Sequence, residues 1–158
     1  MSEVEGLECW TCVIPGDPIA KGRPRLARRG KKVISYTPQK TQSWELGAAA
    51  ILARAWGRRP PLYCAVEVTV VAVFNRPGRL ACKHKRPCNC SPGRVVHLKR
   101  PDLDNCIKAQ LDALQRAGVI HDDSMVCALH AVKCYASENE NPRTEIRLCW
   151  GPAVEAMR

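Results

Sequence analysis

Acidic residues are missing from two long stretches of this 158-residue chain. None occurs between Asp17 and Glu45, and none between Glu67 and Asp102. Between Lys21 and Lys32 the first gap concentrates Lys21, Arg23, Arg25, Arg28, Arg29, Lys31 and Lys32; the second holds Arg76, Arg79, Lys83, Lys85, Arg86, Arg94, Lys99 and Arg100. With 25 Lys plus Arg against 15 acids, the formal charge is +10, and its segregation into tracts points to a polyanionic partner more than to solubility alone. No run approaches the roughly 20 apolar residues of a spanning helix, and the acidic start Met1 to Glu8 lacks an apolar signal region. The expectation is a cytoplasmic protein whose ten cysteines are mostly reduced. On that reading Cys64, Cys127, Cys134 and Cys149 serve as small buried hydrophobes in strands.

Internal repeats and dividing linkers are also absent, and 46% hydrophobic content suffices for one core. A single domain over 1–158 is expected, with ends at 1–8 and 151–158 flexible, a basic loop at 17–37 and a long basic loop at 75–100. Cys9 to Ile14 alternates as a strand and stops at Pro15-Gly16. Thr37 is placed to cap a helix with Pro38 at its first position, and Trp44, Ala48, Ile51, Leu52 and Ala55 recur at helical spacing up to Pro60-Pro61. Valine-rich Tyr63 to Phe74 reads as a central strand covered on both faces. Leu103, Ile107, Leu111 and Leu114 form the stripe of a second helix of about sixteen residues ending at Gly118. Met125 to Tyr135 and Arg143 to Trp150 complete the order β-α-β-α-β-β. The class is α+β, with two main helices on a mixed sheet of about four strands.

The acids return as a cluster: Asp102, Asp104, Asp112 and the pair Asp122-Asp123, with Lys108 among them. Clustered carboxylates repel, so they either take up protons or are neutralised by a bound cation. Two positions apart, Asp102 and Asp104 would diverge by about 200° in mid-helix. With Asp102 at or beside the N-cap, as Pro101 favours, both can converge ahead of the helix. The return through Val119-Ile120-His121 would bring Asp122-Asp123 to the edge of the next strand, so that carboxylates from two element ends could hold one or two ions. The oxygen donors suit Mg²⁺, with Mn²⁺ able to substitute. Lys108 reads equally as an intrahelical ion pair worth about 0.2–0.5 kcal/mol or as a cation near a scissile phosphate.

Arg100-Pro101-Asp102-Leu103-Asp104-Asn105, Lys108, Asp112-Ala113-Leu114, Gly118, Asp122-Asp123 and Val126 closely resemble the core motif of the RusA family of Holliday junction resolvases. Lys133 falls at the spacing of a family lysine, and it joins Lys21, Arg23, Arg25, Arg28, Arg29, Lys31, Lys32, Lys99 and Arg100 as a candidate DNA contact. Ile14-Pro15-Gly16-Asp17-Pro18, Lys21-Gly22-Arg23-Pro24-Arg25 and Tyr36-Thr37-Pro38 resemble the start of phage and prophage members, and Arg143-Thr144-Glu145-Ile146 their last strand. The likeness covers most of residues 12 to 150. It implies a small homodimer that binds four-way DNA junctions and nicks two strands symmetrically with Mg²⁺, in recombination and repair. By this resemblance Asp102, Asp104 and Asp123 map onto the catalytic acids and Lys108 onto the essential lysine, while Asp122, which precedes the mapped acid, is a weaker metal candidate.

The loop departs from the family. Cys82, His84, Cys88 and Cys90 are zinc-competent ligands, but not at paired CxxC spacing, so a metal-free basic loop is favoured over a structural zinc. His97, His121 and His130 are isolated and read as packing or surface residues. Two other classes compete: a branched-DNA-binding module without catalysis, and a metal-dependent phosphoesterase of small substrates. The first has no use for repulsive acids beside phosphates, and the second leaves the basic tracts idle. Neutralising Arg23, Arg25, Arg28 and Arg29 together should weaken binding to unrelated DNA sequences alike, measured by fluorescence anisotropy. Unchanged affinity would reduce this tract to a solubilising arm.

Overall fold

The computed structural model describes residues 6–22, 25–30, 32–78 and 93–152, with only the backbone of Arg25, Arg29 and Ser35. Its elements are β1 (Glu8–Pro15), β2 (Arg25–Arg29), β3 (Lys32–Tyr36), α1 (Gln39–Trp56), β4 (Val66–Phe74), β5 (Val95–Val96), α2 (Leu103–Arg116), a 3-10 turn (Asp123–Met125), β6 (Val126–Tyr135) and β7 (Arg143–Trp150). The main sheet runs β1-β7-β4-β6-β5, and β2 pairs with β3 alone. All neighbours are antiparallel except β4 and β6. A parallel neighbour cannot be reached by a tight turn, and α2 is the crossover that reaches it.

Val66, Val68 and Val70 of β4 are fully buried against Leu52 of α1 and Leu114 of α2. Trp56 meets Trp10 of β1 and Trp150 of β7 edge-on, with centroids 5.2 and 5.7 Å apart, and its indole N–H donates to the Pro60 carbonyl. That satisfies the polar atom while the rings fill the core. β4 is central, as its composition predicts, but its second face is only partly covered: Glu67, Thr69 and Val71 are half-buried. The apolar face of α1 lies along Ala48, Leu52 and Trp56, while Ala55 is exposed.

Several expectations need correction. The segment 17–37 is not all loop, because β2 and β3 form a hairpin with Gly30 at φ +64° in its turn. Neither strand alternates apolar with polar residues, and Leu26, Ala27, Arg28, Lys32, Val33, Ile34 and Tyr36 are all exposed, so the usual half-buried pattern is lacking. The main sheet has five strands, since Val95 and Val96 pair with Tyr135 and Cys134 at the end of the expected long loop. Pro38, not Thr37, occupies the N-cap of α1, and its carbonyl accepts from Thr41 and Gln42. α2 has 14 residues, ending before Gly118, whose φ of +70° suits glycine. β6 starts at Val126 because the 3-10 turn takes up Met125.

Cys9 and Cys149 are paired residues on β1 and β7, with Cα atoms 4.2 Å apart, and form a disulfide, contrary to the expectation of reduced thiols for these two. Register created that proximity across 140 residues of sequence. Cys134 is buried as expected, whereas Cys127 is exposed.

Glu140 organises the β6–β7 connection. It accepts from the backbone N–H and hydroxyl of Ser137 and from Arg94 at 2.6 Å, while Arg94 also reaches Glu145 at 2.6 Å. Arg94 is thus spent on an internal network instead of extending the basic tract. Its hydrogen bonds hold the Glu140 carboxyl down at about 2. A depressed carboxylate stabilises the fold above its ordinary value of 4.5, and that contribution disappears as pH falls toward 2. Glu140→Gln should cost about 1–2 kcal/mol at pH 7. In thermal melts, its difference from wild type should shrink between pH 4.5 and 2.

Candidate functional site

The head of α2 is built by its start signal. Asp102 stands at the N-cap with φ −71° and ψ 145°, and its carbonyl accepts from Cys106 N–H at 3.2 Å. Its carboxylate makes no capping bond, and Asp104 lies in the first turn. Both acids are exposed, beside the positive end of the helix dipole. Lys108, one turn on, brings Nζ to 3.6 Å from Asp104, with both side chains nearly two-thirds exposed. The contact is therefore a weak surface pair.

Two of the candidate DNA-contact lysines, Lys133 and Lys21, brace this head. Lys133 Nζ donates to the carbonyls of Lys99 and Pro101 at 2.6 Å each, tying the end of β6 to the segment before Asp102. Lys21 donates its backbone N–H to Asn105 O at 2.8 Å, and its ammonium pairs with Asp112. His97 closes the same region. Its ring packs between Phe74 and Tyr135, with centroids 4.6 and 4.3 Å away, and burial together with Lys133 lowers its pKa. His121 stacks on Tyr63 and His130 faces Glu67, in keeping with packing roles.

The second acid pair lies at the other end of α2. Asp122 caps the 3-10 turn by accepting from Ser124 N–H at 3.0 Å, and Gln115 in the last turn of α2 reaches its Oδ2 at 3.4 Å. Hydrogen bonds from Ser124 hold the Asp122 carboxyl below its usual range. Asp123 beside it is exposed. Fourteen residues of helix span about 21 Å, so Asp102 and Asp104 do not converge with Asp123 within one chain. Among the described residues, no three His, Cys, Asp or Glu side chains form a group able to hold a metal. β6 runs back along α2, and Leu103, Ile107 and Leu111 face Leu129 and Ala131 across an apolar groove of about 660 Å³.

The sequence reading missed a polar cavity of about 390 Å³ lined by Lys21, Glu45, Asp112, Gln115 and Arg116. Glu45 is buried, its carboxyl pushed up by desolvation and by Asp112, with Arg116 3.7 Å away. Glu45 shares the inward face of α1 with Ala48 and Leu52, the one signal that could have marked it. Cys82, His84, Cys88, Cys90, Arg23 and Lys31 lie outside the described residues. Arg28, Lys32, Lys99 and Arg100 are exposed, and Arg25 and Arg29 occupy β2.

The family model for endodeoxyribonuclease RusA matches residues 15–149, which takes in every element from the end of β1 nearly to the end of β7. The chain belongs to the RusA family. It is accordingly a nuclease of the Holliday junction resolvase class, acting on branched DNA. The YqaN protein of Bacillus subtilis (strain 168) is 28% identical over 144 residues, covering 90% of this chain and 96% of YqaN. The crossover junction endodeoxyribonuclease RusA of Aquifex aeolicus (strain VF5) is 24% identical over 148 residues, covering 93% and 95%. Alignments of this length span both acid pairs. No helix among the described residues is long and apolar enough to cross a membrane.

The donor chemistry at the head of α2 fits a hard divalent ion. Asp102 and Asp104 are exposed oxygen donors, and Asp102 is free of a capping bond. Mg²⁺ is commonly held by one or two carboxylates together with substrate phosphates and water, so a closed protein cage is not required.

Proposed function

We propose that this RusA-family nuclease acts as a Mg²⁺-dependent homodimer that resolves four-way DNA junctions by paired symmetric nicks. The observation that carries the reading is the exposed pair Asp102 and Asp104 at the head of α2, with Lys108 one turn away. Mg²⁺ bound there would supply charge neutralisation at the phosphate and a more acidic water. The chain's own part is to present the carboxylates in fixed register, which the Lys133 and Lys21 contacts to the flanking backbone favour. Lys108 is placed to neutralise charge that develops on the phosphate oxygens.

The basic hairpin supports the DNA side of this reading. A two-stranded ribbon fits the major groove, about 12 Å wide, and Arg28 and Lys32 are exposed on β2 and β3. Arg100 and Lys99 bring positive charge to the residues just before Asp102. Their phosphate contacts would orient a junction without reading its sequence. A homodimer would match the two-fold symmetry of a four-way junction and place one site against each nicked strand.

Labelled junctions incubated in Mg²⁺ beside linear duplex of the same sequence test the proposal. Wild type should give paired nicks confined to the junction. Asp104→Asn should lose at least about 100-fold in cleavage while keeping or improving junction affinity; full activity in that variant would remove Asp104 from the mechanism. Lys108→Met should change stability by no more than about 0.5 kcal/mol, yet lower cleavage by about 100-fold. If cleavage persists, only the surface ion pair is left as its role.

A further inference from the structure

The polar cavity beside the tail of α2 holds a group that the nuclease reading leaves unused. Glu45 lines it at only 4% exposure, and among the described residues its Oε1 has no hydrogen-bond partner. Arg116 Nη2 stops 3.7 Å from the other oxygen, Oε2. A buried carboxylate oxygen without a donor is costly, and desolvation pushes this carboxyl up accordingly. Leucine at this point of the inward face, beside Ala48 and Leu52, would avoid that cost. A costly buried acid in a cleft marks a place where a ligand arrives.

The lining defines the chemistry of that ligand. The cavity measures about 390 Å³, within the roughly 300–1,000 Å³ of small-ligand pockets. Lys21 and Arg116 are balanced there by Glu45 and Asp112. A phosphate would meet as much repulsion as attraction, and so would a metal ion. A neutral ligand that both donates and accepts hydrogen bonds suits the site, because the free Oε1 accepts and the Arg116 guanidinium beside it donates. Nucleobases carry a donor next to an acceptor on the Watson–Crick edge, which is open only when the base is unpaired.

The cavity also lies where DNA is expected. Lys21 and Thr37, both on its lining, stand at the two ends of the segment that carries the β2–β3 hairpin. Those ends are pinned. Gly22 N–H donates to Thr41 Oγ1 at 3.3 Å, Lys21 N–H donates to Asn105 O at 2.8 Å, and a Cβ on Gly22 would come within 2.9 Å of Pro38 Cγ. On the other side Gln115 lines the cavity and holds Asp122. The site thus joins the basic hairpin to the Asp122-Asp123 turn.

Resting on the action on branched DNA stated above, we infer that this cavity receives one unpaired nucleobase of the bound junction, which donates to Glu45 Oε1 and accepts from Arg116. Glu45 is then a specificity-determining residue: it selects the nucleotide at which a strand is seated for nicking. Extruding a base costs least where pairing is already broken, as at an opened exchange point.

Coupling between single bases and Glu45 tests this. Four-way junctions with an abasic site at each position in turn around the exchange point are bound by Asp104→Asn and by Asp104→Asn carrying Glu45→Leu, and affinity is read by fluorescence anisotropy. One position per bound strand should stand out, where losing the base weakens Asp104→Asn by about tenfold and the double variant by less than about twofold. A fluorescent base analogue at that position should brighten on binding, as an unstacked base does. Glu45→Gln, which keeps the shape and one acceptor, should retain part of the coupling. Glu45→Leu should melt no lower than wild type; a lower melting temperature with the base preference intact would make Glu45 purely structural and overturn the inference. If Glu45→Leu fails to fold, Arg116→Gln, at a side chain 49% exposed, should lose the same coupling. Base and side-chain effects that multiply independently at every position sink the idea. A chain that binds no junction defeats the functional reading and this inference together, whereas tight binding without coupling defeats this inference alone.

Discussion

Parallel pairing of β4 with β6 is the constraint from which the rest of this structure follows. Antiparallel strands can turn back at once, but parallel neighbours require the chain to travel the length of the sheet before the second strand begins. Here α2 makes that journey, and it must bury one face on β4 to do so. Leu114, Ile107 and Ala113 supply that face, packed with Val66, Val68 and Val70. Once it is buried, the two ends of α2 are fixed relative to the sheet. The acids at those ends are fixed with them.

That constraint also explains how lysines are used. A chain so rich in cations has many that could meet phosphate, yet Lys21, Lys133 and Arg94 are engaged by partners within the chain itself. Two of them brace the head of α2, and the third closes the end of the basic segment onto β7. An ammonium donating to two carbonyls holds a stretch of backbone that has no helical or strand partner of its own. Charge that looks like one tract in sequence is therefore divided in space between bracing and an exposed remainder carried by Arg28, Lys32, Lys99 and Arg100.

The electrostatics at the two ends of α2 differ in kind. Asp102 and Asp104 stand exposed beside the helix N-terminus, where backbone N–H groups favour negative charge. Asp122 is occupied by Ser124 and Gln115, which makes it a structural cap and leaves Asp123 as the exposed neighbour. Exposure, more than sequence order, separates the two members of that pair.

Local pattern was enough to read much of this protein. The period of Leu103, Ile107 and Leu114 placed α2, Asp102 was recognised at its N-cap, the valine run marked the central strand, and the motif around Asp102 to Asp123 gave the family. Each of these depends on residues within a few turns or on a string of identities, and both are present in the linear chain. Tertiary structure decided what depends on register and direction. The Cys9–Cys149 bond, the two-residue strand β5, the burial of Glu45 and the bracing roles of Lys21 and Lys133 all arise from partners far apart in sequence. Above all, the spacing from Asp104 to Asp123 suggested one cluster, but the intervening residues form a rigid rod. A rod separates its ends by its own length, so only the folded chain shows that the two acid pairs stand apart.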